Sequence, residues 1–187
     1  MATNDSEIGP VRRILAAASF AAEKHAQQKR KGAAGEPYFN HLLEVAELVA
    51  AGSDRLDVNL VMAAFLHDTV EDTGVTLQEL EQRFGKDVAA LVDEVTDDKS
   101  LPKEIRKQLQ VKNAPKKSER AQTLKLADKI SNLRSILASP PAGWNRERKQ
   151  QYFEWAKQVV DGLTAPNPFL KTEFDKTYSM ITQLKDS

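Results

Sequence analysis

The chain has no cysteine and only three histidines in 187 residues. The missing thiols exclude a disulfide scaffold, a thiolate zinc site and a cysteine nucleophile. Neither sign of charge is in excess, with 27 Lys+Arg against 27 Asp+Glu. A general nucleic-acid binder is usually basic overall, so no nucleic-acid partner is expected, although a local basic patch is allowed. No apolar run approaches the roughly 18–20 residues that a bilayer span needs, so no membrane partner is expected. Met1–Pro10 lacks the basic start and apolar stretch of a signal peptide. The expected location is therefore the cytoplasm. Hydrophobic residues make up 41% and charged residues 29%, the ordinary balance of a soluble globular protein and not of a disordered chain. At this length one domain is expected, residues 11–187 after a polar tail at 1–10.

Helical periodicity dominates. Val11, Ile14, Leu15, Ala18 and Ala22 trace one face of a helix over Val11–Gln28. Further helices are predicted at Asn40–Ala51, Asp57–Asp72, Leu77–Phe84, Lys86–Thr96 and Pro102–Lys112. Gly52 closes the second, and Thr76 with Glu79 forms a capping box for the fourth. Ser118 opens a long helix that Ser139-Pro140-Pro141 breaks. Helices at Asn145–Leu163 and Pro168–Leu184 finish the chain. No segment alternates with period two and β-branched enrichment, so the expected fold is all-α, a compact bundle of eight or nine helices.

Three segments carry candidate chemistry. The first is His67-Asp68-Thr69-Val70-Glu71-Asp72, one histidine and three carboxylates in six residues. On a continuous helix Glu71 lies one turn above His67 and Asp72 one turn above Asp68, within an arc of roughly 140°. Like charges gathered this way repel and call for a compensating cation, which a divalent metal supplies. The bland alternative is an exposed acidic helix end, which the helix dipole disfavours. The second segment runs from Lys125 to Arg134. Asp128 sits there inside an apolar stripe with Asn132 one turn on, and is either a ligand or paired with Lys125 or Arg134. The third is Glu36-Pro37-Tyr38-Phe39-Asn40-His41, where Asn40 is the expected N-cap and His41 starts a helix. Taken alone, His41 reads as a surface or core residue sooner than as a ligand.

Together they give a set of two histidines and two carboxylates, His41, His67, Asp68 and Asp128. Such donors suit manganese, iron or zinc better than calcium. Glu71 is placed to orient or deprotonate a water. Lys29-Arg30-Lys31 precedes the Gly/Ala-rich stretch Gly32–Gly35. It reads either as a mobile basic segment for a polyphosphate ligand or as a solvated charge run at a helix end. Lys116-Lys117 reads as solvated surface, and His25 as structural or exposed. Trp144, Phe153 and Trp155 read as core, with Tyr152 the one aromatic placed at the cleft.

A histidine, then an adjacent His-Asp on one helix, then a distant Asp on another, resembles the HD superfamily of metal-dependent phosphohydrolases. His67–Thr73, Val95-Thr96-Asp97-Asp98-Lys99, Leu126–Lys129 and Asn132-Leu133-Arg134 look like the hydrolase domain of the RelA/SpoT family, in its small stand-alone form. The resemblance implies an HD-domain fold and hydrolysis of guanosine 3′-diphosphate 5′-di(tri)phosphate to GDP or GTP and pyrophosphate. It implies a metal, usually manganese, on His41, His67, Asp68 and Asp128, and Glu71 with Asp72 as the catalytic acidic pair. It places Asn132 near the ribose and phosphates, Arg30 and Lys31 near the base, and Lys103, Arg148 and Tyr152 at the phosphates. The chain departs from the family pattern at Leu42, where a proline is frequent. No synthetase domain or regulatory tail is expected in so short a chain. The same metal chemistry would serve another phosphorylated nucleotide, such as the 2′-phosphate of NADPH. A nucleotide-binding domain without turnover is the remaining alternative.

Overall fold

A computed structural model describes residues 9–184. Ten α-helices follow one another: α1 (Pro10–Lys24), α2 (Phe39–Ala51), α3 (Val58–Leu66), α4 (Thr69–Asp72), α5 (Leu77–Phe84), α6 (Lys86–Val95), α7 (Lys103–Asn113), α8 (Glu119–Ala138), α9 (Arg146–Asp161) and α10 (Pro168–Ser179). Short 3-10 turns occupy Ala114–Lys116 and Met180–Gln183. No strand forms among the described residues; the extended pairing is confined to two isolated bridges. The expected all-α fold is the one observed. The tail expected at residues 1–10 lies mostly outside the described residues.

The core is organised around two helices that are buried on nearly every side. In α3 every residue from Leu60 to Leu66 is buried. In α8 burial is unbroken from Leu124 to Ser131. A helix that is buried all round is a central helix. α1, α2 and α6 pack on α3, while α2, α6 and α10 pack on α8. Polar residues inside α8 therefore have little access to solvent and need partners within the protein. None of the helices among the described residues is long and apolar enough to cross a membrane.

Several boundaries differ from the periodicity reading. The predicted Asp57–Asp72 helix is two helices, interrupted at His67-Asp68. Its start is as the cap residue implies, with Asp57 accepting from the Leu60 amide at 3.0 Å. α2 begins at Phe39, one residue before the expected cap, so Asn40 is inside the helix and caps nothing. Thr76 accepts from the Glu79 amide at 3.1 Å, but the Glu79 carboxylate turns to Arg83 instead of completing the box. The buried face of α1 is Ala17, Phe20 and Ala21, whereas Val11 and Leu15 are exposed at 66% and 58%. The buried stripe is therefore rotated from the one read from the sequence.

The segment after α1 is tied down by backbone pairing. Lys29 bridges to Pro37, Gly32 bridges to Pro141, and the Arg30 amide donates to the Glu36 carbonyl at 2.8 Å. A Cβ on Gly32 would lie 2.4 Å from the Ser139 carbonyl oxygen, so only glycine fits this approach. The Ser-Pro-Pro break after α8 thus ends a helix and also docks the basic loop.

Candidate active site

The break between α3 and α4 creates the centre of the site. His67 Nδ1 donates to the Ala64 carbonyl at 2.8 Å, and Thr69 Oγ1 donates to the Leu66 carbonyl at 2.6 Å. Side chains thereby take carbonyls at the end of α3, a competition that favours termination. Asp68 sits at φ −102° and ψ −2°, and the helix resumes with the Asp72 amide on the Asp68 carbonyl. The bond to Ala64 also fixes the ring of His67: Nδ1 donates to the carbonyl, and Nε2 is turned toward the site.

His41 is held in the same way from another direction. Its Nδ1 lies 2.8 Å from Ser131 Oγ, which donates to Glu44 Oε2 at 2.6 Å. Arg134 closes this chain by bridging Glu44 and Glu173. Asp128 comes from the buried side of α8. Its Oδ2 pairs with Lys129 at 3.0 Å, and its Oδ1 accepts from Asn132 at 2.6 Å. The cation expected for Asp128, Lys125 or Arg134, is therefore neither of these. Arg30 donates to Asn132 at 3.0 Å and lies over the Tyr38 ring.

The structure brings His41, His67, Asp68 and Asp128 together. His41 Nε2 is 3.6 Å from Asp68 Oδ2 and 3.4 Å from Asp128 Oδ1. His67 Nε2 is 3.1 Å and 3.9 Å from the same two atoms. His41, His67 and Asp128 each offer a ligand atom within 4.8 Å of the others, and Asp68 approaches both rings. Both Nε2 atoms are buried and make no hydrogen bond within the protein. Buried nitrogens without partners are costly unless something else occupies their lone pairs. Two imidazole lone pairs facing carboxylate oxygens fit a divalent cation. Burial would raise the Asp68 carboxyl, but His67 and His41 hold it well below the ordinary range. Asp128 behaves likewise, with Lys129 and the two histidines overcoming burial. Both carboxylates are thus anionic and available as ligands.

Glu71 and Asp72 lie on α4 at the rim. Glu71 accepts from the Asp97 amide at 3.0 Å, and burial together with the Asp68 and Asp97 charges raises its carboxyl. Asp72 is more exposed and is gripped by Lys99 at 2.8 Å and by Gln28 at 2.9 Å. Lys99 also reaches Glu71 at 3.5 Å. Tyr38 donates its hydroxyl to Asp68 Oδ2 at 2.5 Å, and burial with the Asp68 charge keeps the phenol protonated.

Lys103, Arg148 and Tyr152 line one cleft of about 550 Å³, with Lys107 and Trp144 beside them. Arg148 lies over the Trp144 ring and Lys107 over Trp155. Burial pushes the Tyr152 phenol up to about 12, against the pull of Lys129. Lys31 is exposed and does not share the contacts of Arg30. Phe153 is core, as read. One surface reading is corrected, since Lys117 is half-buried and donates to the Glu94 carbonyl; of the two readings of His25, structural or exposed, the buried position at 2% exposure fits the first.

The residues not singled out as partners are Tyr38, Ser131, Glu44, Lys129 and Lys99. Lys129 left one sequence signal. A lysine next to an aspartate in an otherwise apolar helix needs a partner, and the adjacent carboxylate is within reach. The others act across 27 to 90 positions of sequence, where no spacing rule operates.

Comparison with known proteins bears on this geometry. A family model described as the HD domain matches residues 17–156. A protein of Xenopus tropicalis named guanosine-3′,5′-bis(diphosphate) 3′-pyrophosphohydrolase MESH1 is 49% identical over 165 residues, covering 88% of this chain and 92% of its own. The Homo sapiens protein of that name is 53% identical over 154 residues, covering 82% and 86%. A solved structure described as "A metazoan ortholog of SpoT hydrolyzes ppGpp and plays a role in starvation responses" superposes with a TM-score of 0.87 at 44% identity, covering 98% of this chain and 100% of that one. The matched stretch runs from within α1 to within α9 and contains both histidines and both aspartates that converge between α2, α3 and α8. The chain belongs to the HD domain family.

Proposed function

We propose that this protein is a metal-dependent 3′-pyrophosphohydrolase of guanosine 3′,5′-bis(diphosphate) and its 5′-triphosphate counterpart. GDP or GTP and pyrophosphate are the products. The observation that carries the reading is the pair of buried, unpartnered imidazole Nε2 atoms facing the carboxylates of Asp68 and Asp128. The names of the relatives supply the substrate class.

His41, His67, Asp68 and Asp128 would hold the cation, manganese in this proposal. When bound, it supplies Lewis acidity, acidifying water and neutralising charge on a phosphoryl oxygen. Ser131 and the Ala64 carbonyl keep the two rings turned with Nε2 inward. Glu71, its carboxyl raised by burial, accepts a proton from the attacking water. Asp72 orients that water and is steadied by Lys99 and Gln28. The water oxygen bonds to the phosphorus carried by the ribose 3′ oxygen. The bond from that phosphorus to O3′ breaks, and a proton ends on O3′. Asn132 faces the ribose and phosphates, and Arg30 and Lys31 lie toward the base. Lys103, Arg148 and Tyr152 would neutralise or bond the phosphates from the cleft they share. The hydrolase domain in this reading spans residues 11–187 with residues 1–10 as a tail, and it works in the cytoplasm with the nucleotide pool.

Turnover in ¹⁸O-labelled water tests the bond that breaks. The reading expects the label in pyrophosphate and none in the nucleotide. Label in the nucleotide 3′-hydroxyl, or release of single phosphates, would overturn it.

A further inference from the structure

The third histidine is not a ligand candidate, yet it is as buried as the two that are. His25 Nδ1 lies 2.5 Å from Gln28 Oε1, and the Nε2 of Gln28 donates to Asp72 at 2.9 Å. The flat face of His25 stacks on Tyr38, with ring centroids 5.1 Å apart and planes 20° apart. Arg30 lies over the Tyr38 ring, 5.7 Å from its centroid, and His41 meets it edge-on. Tyr38 thus has little room to turn, and its hydroxyl reaches Asp68 Oδ2 at 2.5 Å. The Tyr38 amide is tied to the Gln28 carbonyl at 2.9 Å, so the two ends of the loop are one unit.

We propose that residues 25–38 form a positioning brace for the two acidic functions of the site. Tyr38 fixes the carboxylate of Asp68 toward the cation position, Gln28 fixes Asp72 toward the reacting water, and His25 braces both. Asp68 needs such support. It sits in the interrupted turn between α3 and α4, where no helical ladder holds its side chain, and Tyr38 spends one lone pair of Oδ2 while leaving another toward His41 and His67. Partners of this kind orient a ligand without touching the metal, and their loss commonly weakens metal binding about 10–100-fold. Neither Tyr38 nor Gln28 is a catalytic residue here; each acts through an aspartate. The inference rests on the metal and acidic-pair assignments above.

The experiment compares metal-stripped wild type, Tyr38→Phe and Gln28→Ala. Manganese affinity is read by calorimetry, and kcat and KM are read at saturating manganese. Tyr38→Phe is expected to raise the metal Kd about 10–100-fold, with kcat largely restored at high manganese. Gln28→Ala is expected to leave the metal Kd within about twofold and to lower kcat several-fold. His25→Ala carries the same test if Tyr38→Phe does not fold, with a smaller rise in Kd. Wild-type affinity in Tyr38→Phe, or in His25→Ala as its stand-in, would overturn the brace while leaving the metal reading intact. Absence of metal binding by the wild type would instead overturn the metal reading itself.

Discussion

Asp128→Ala should destabilise the metal-free protein, and the reason lies in its neighbour. Lys129 is 2% exposed, and its ammonium pairs with Asp128 Oδ2 at 3.0 Å. Removing the carboxylate strands a buried cation, a change that typically costs about 3–5 kcal/mol. The Trp155 face lies 4.5 Å from the ammonium and offsets up to about 2 kcal/mol of that. The net expectation is about 1–5 kcal/mol. For a domain of this size each kcal/mol lowers Tm by about 2–4 °C, so Tm should fall by about 2–20 °C. The assay is thermal unfolding followed by circular dichroism with chelator present, so that lost metal binding contributes nothing. Asp128→Ala/Lys129→Met removes both charges and should recover at least half of the loss. A double variant no more stable than Asp128→Ala would refute the stranded-cation argument.

Ser131→Ala removes the acceptor of His41 Nδ1 and is expected to weaken metal binding about 10–100-fold by calorimetry. In the metal-free protein burial alone would lower the His67 imidazole, but Asp68 and Asp128 outweigh it and push it up to about 9. A raised folded pKa adds stability that is full below the unfolded value of about 6.5 and is lost as pH rises through about 9. Metal-free Tm should therefore fall between about pH 6.5 and 9. Metal binding in that window should release a proton, seen as a buffer-dependent calorimetric enthalpy. Gly32→Ala forces a Cβ to 2.4 Å from the Ser139 carbonyl and is expected to cost about 1–3 kcal/mol, measured as a lowered urea midpoint.

The chemistry of the site was more legible in sequence than its mechanical support. Adjacent His67 and Asp68, and an aspartate inside the apolar stripe of α8, announce their cost locally. Burial of α8 on nearly every side then explains why Asp128 needs Lys129 and Asn132. The break at His67-Asp68 was not legible, because periodicity continues through it while side-chain bonds to the Ala64 and Leu66 carbonyls stop the helix. The ordered loop at 29–37 was equally hidden. Its glycines and charges read as freedom, whereas Pro140 and Pro141, more than 100 residues away, pin it. The face of α1 was misjudged because periodicity allows more than one registration of the stripe, and the buried one carries Ala17, Phe20 and Ala21.

The central claim is tested most directly by guanosine 3′,5′-bis(diphosphate) turnover with the metal-stripped protein, with and without added manganese. The account predicts GDP and pyrophosphate in equal amounts with manganese, none with chelator, and none from Asp128→Ala at any manganese concentration. Turnover that survives chelation, or full activity in folded Asp128→Ala, would contradict it.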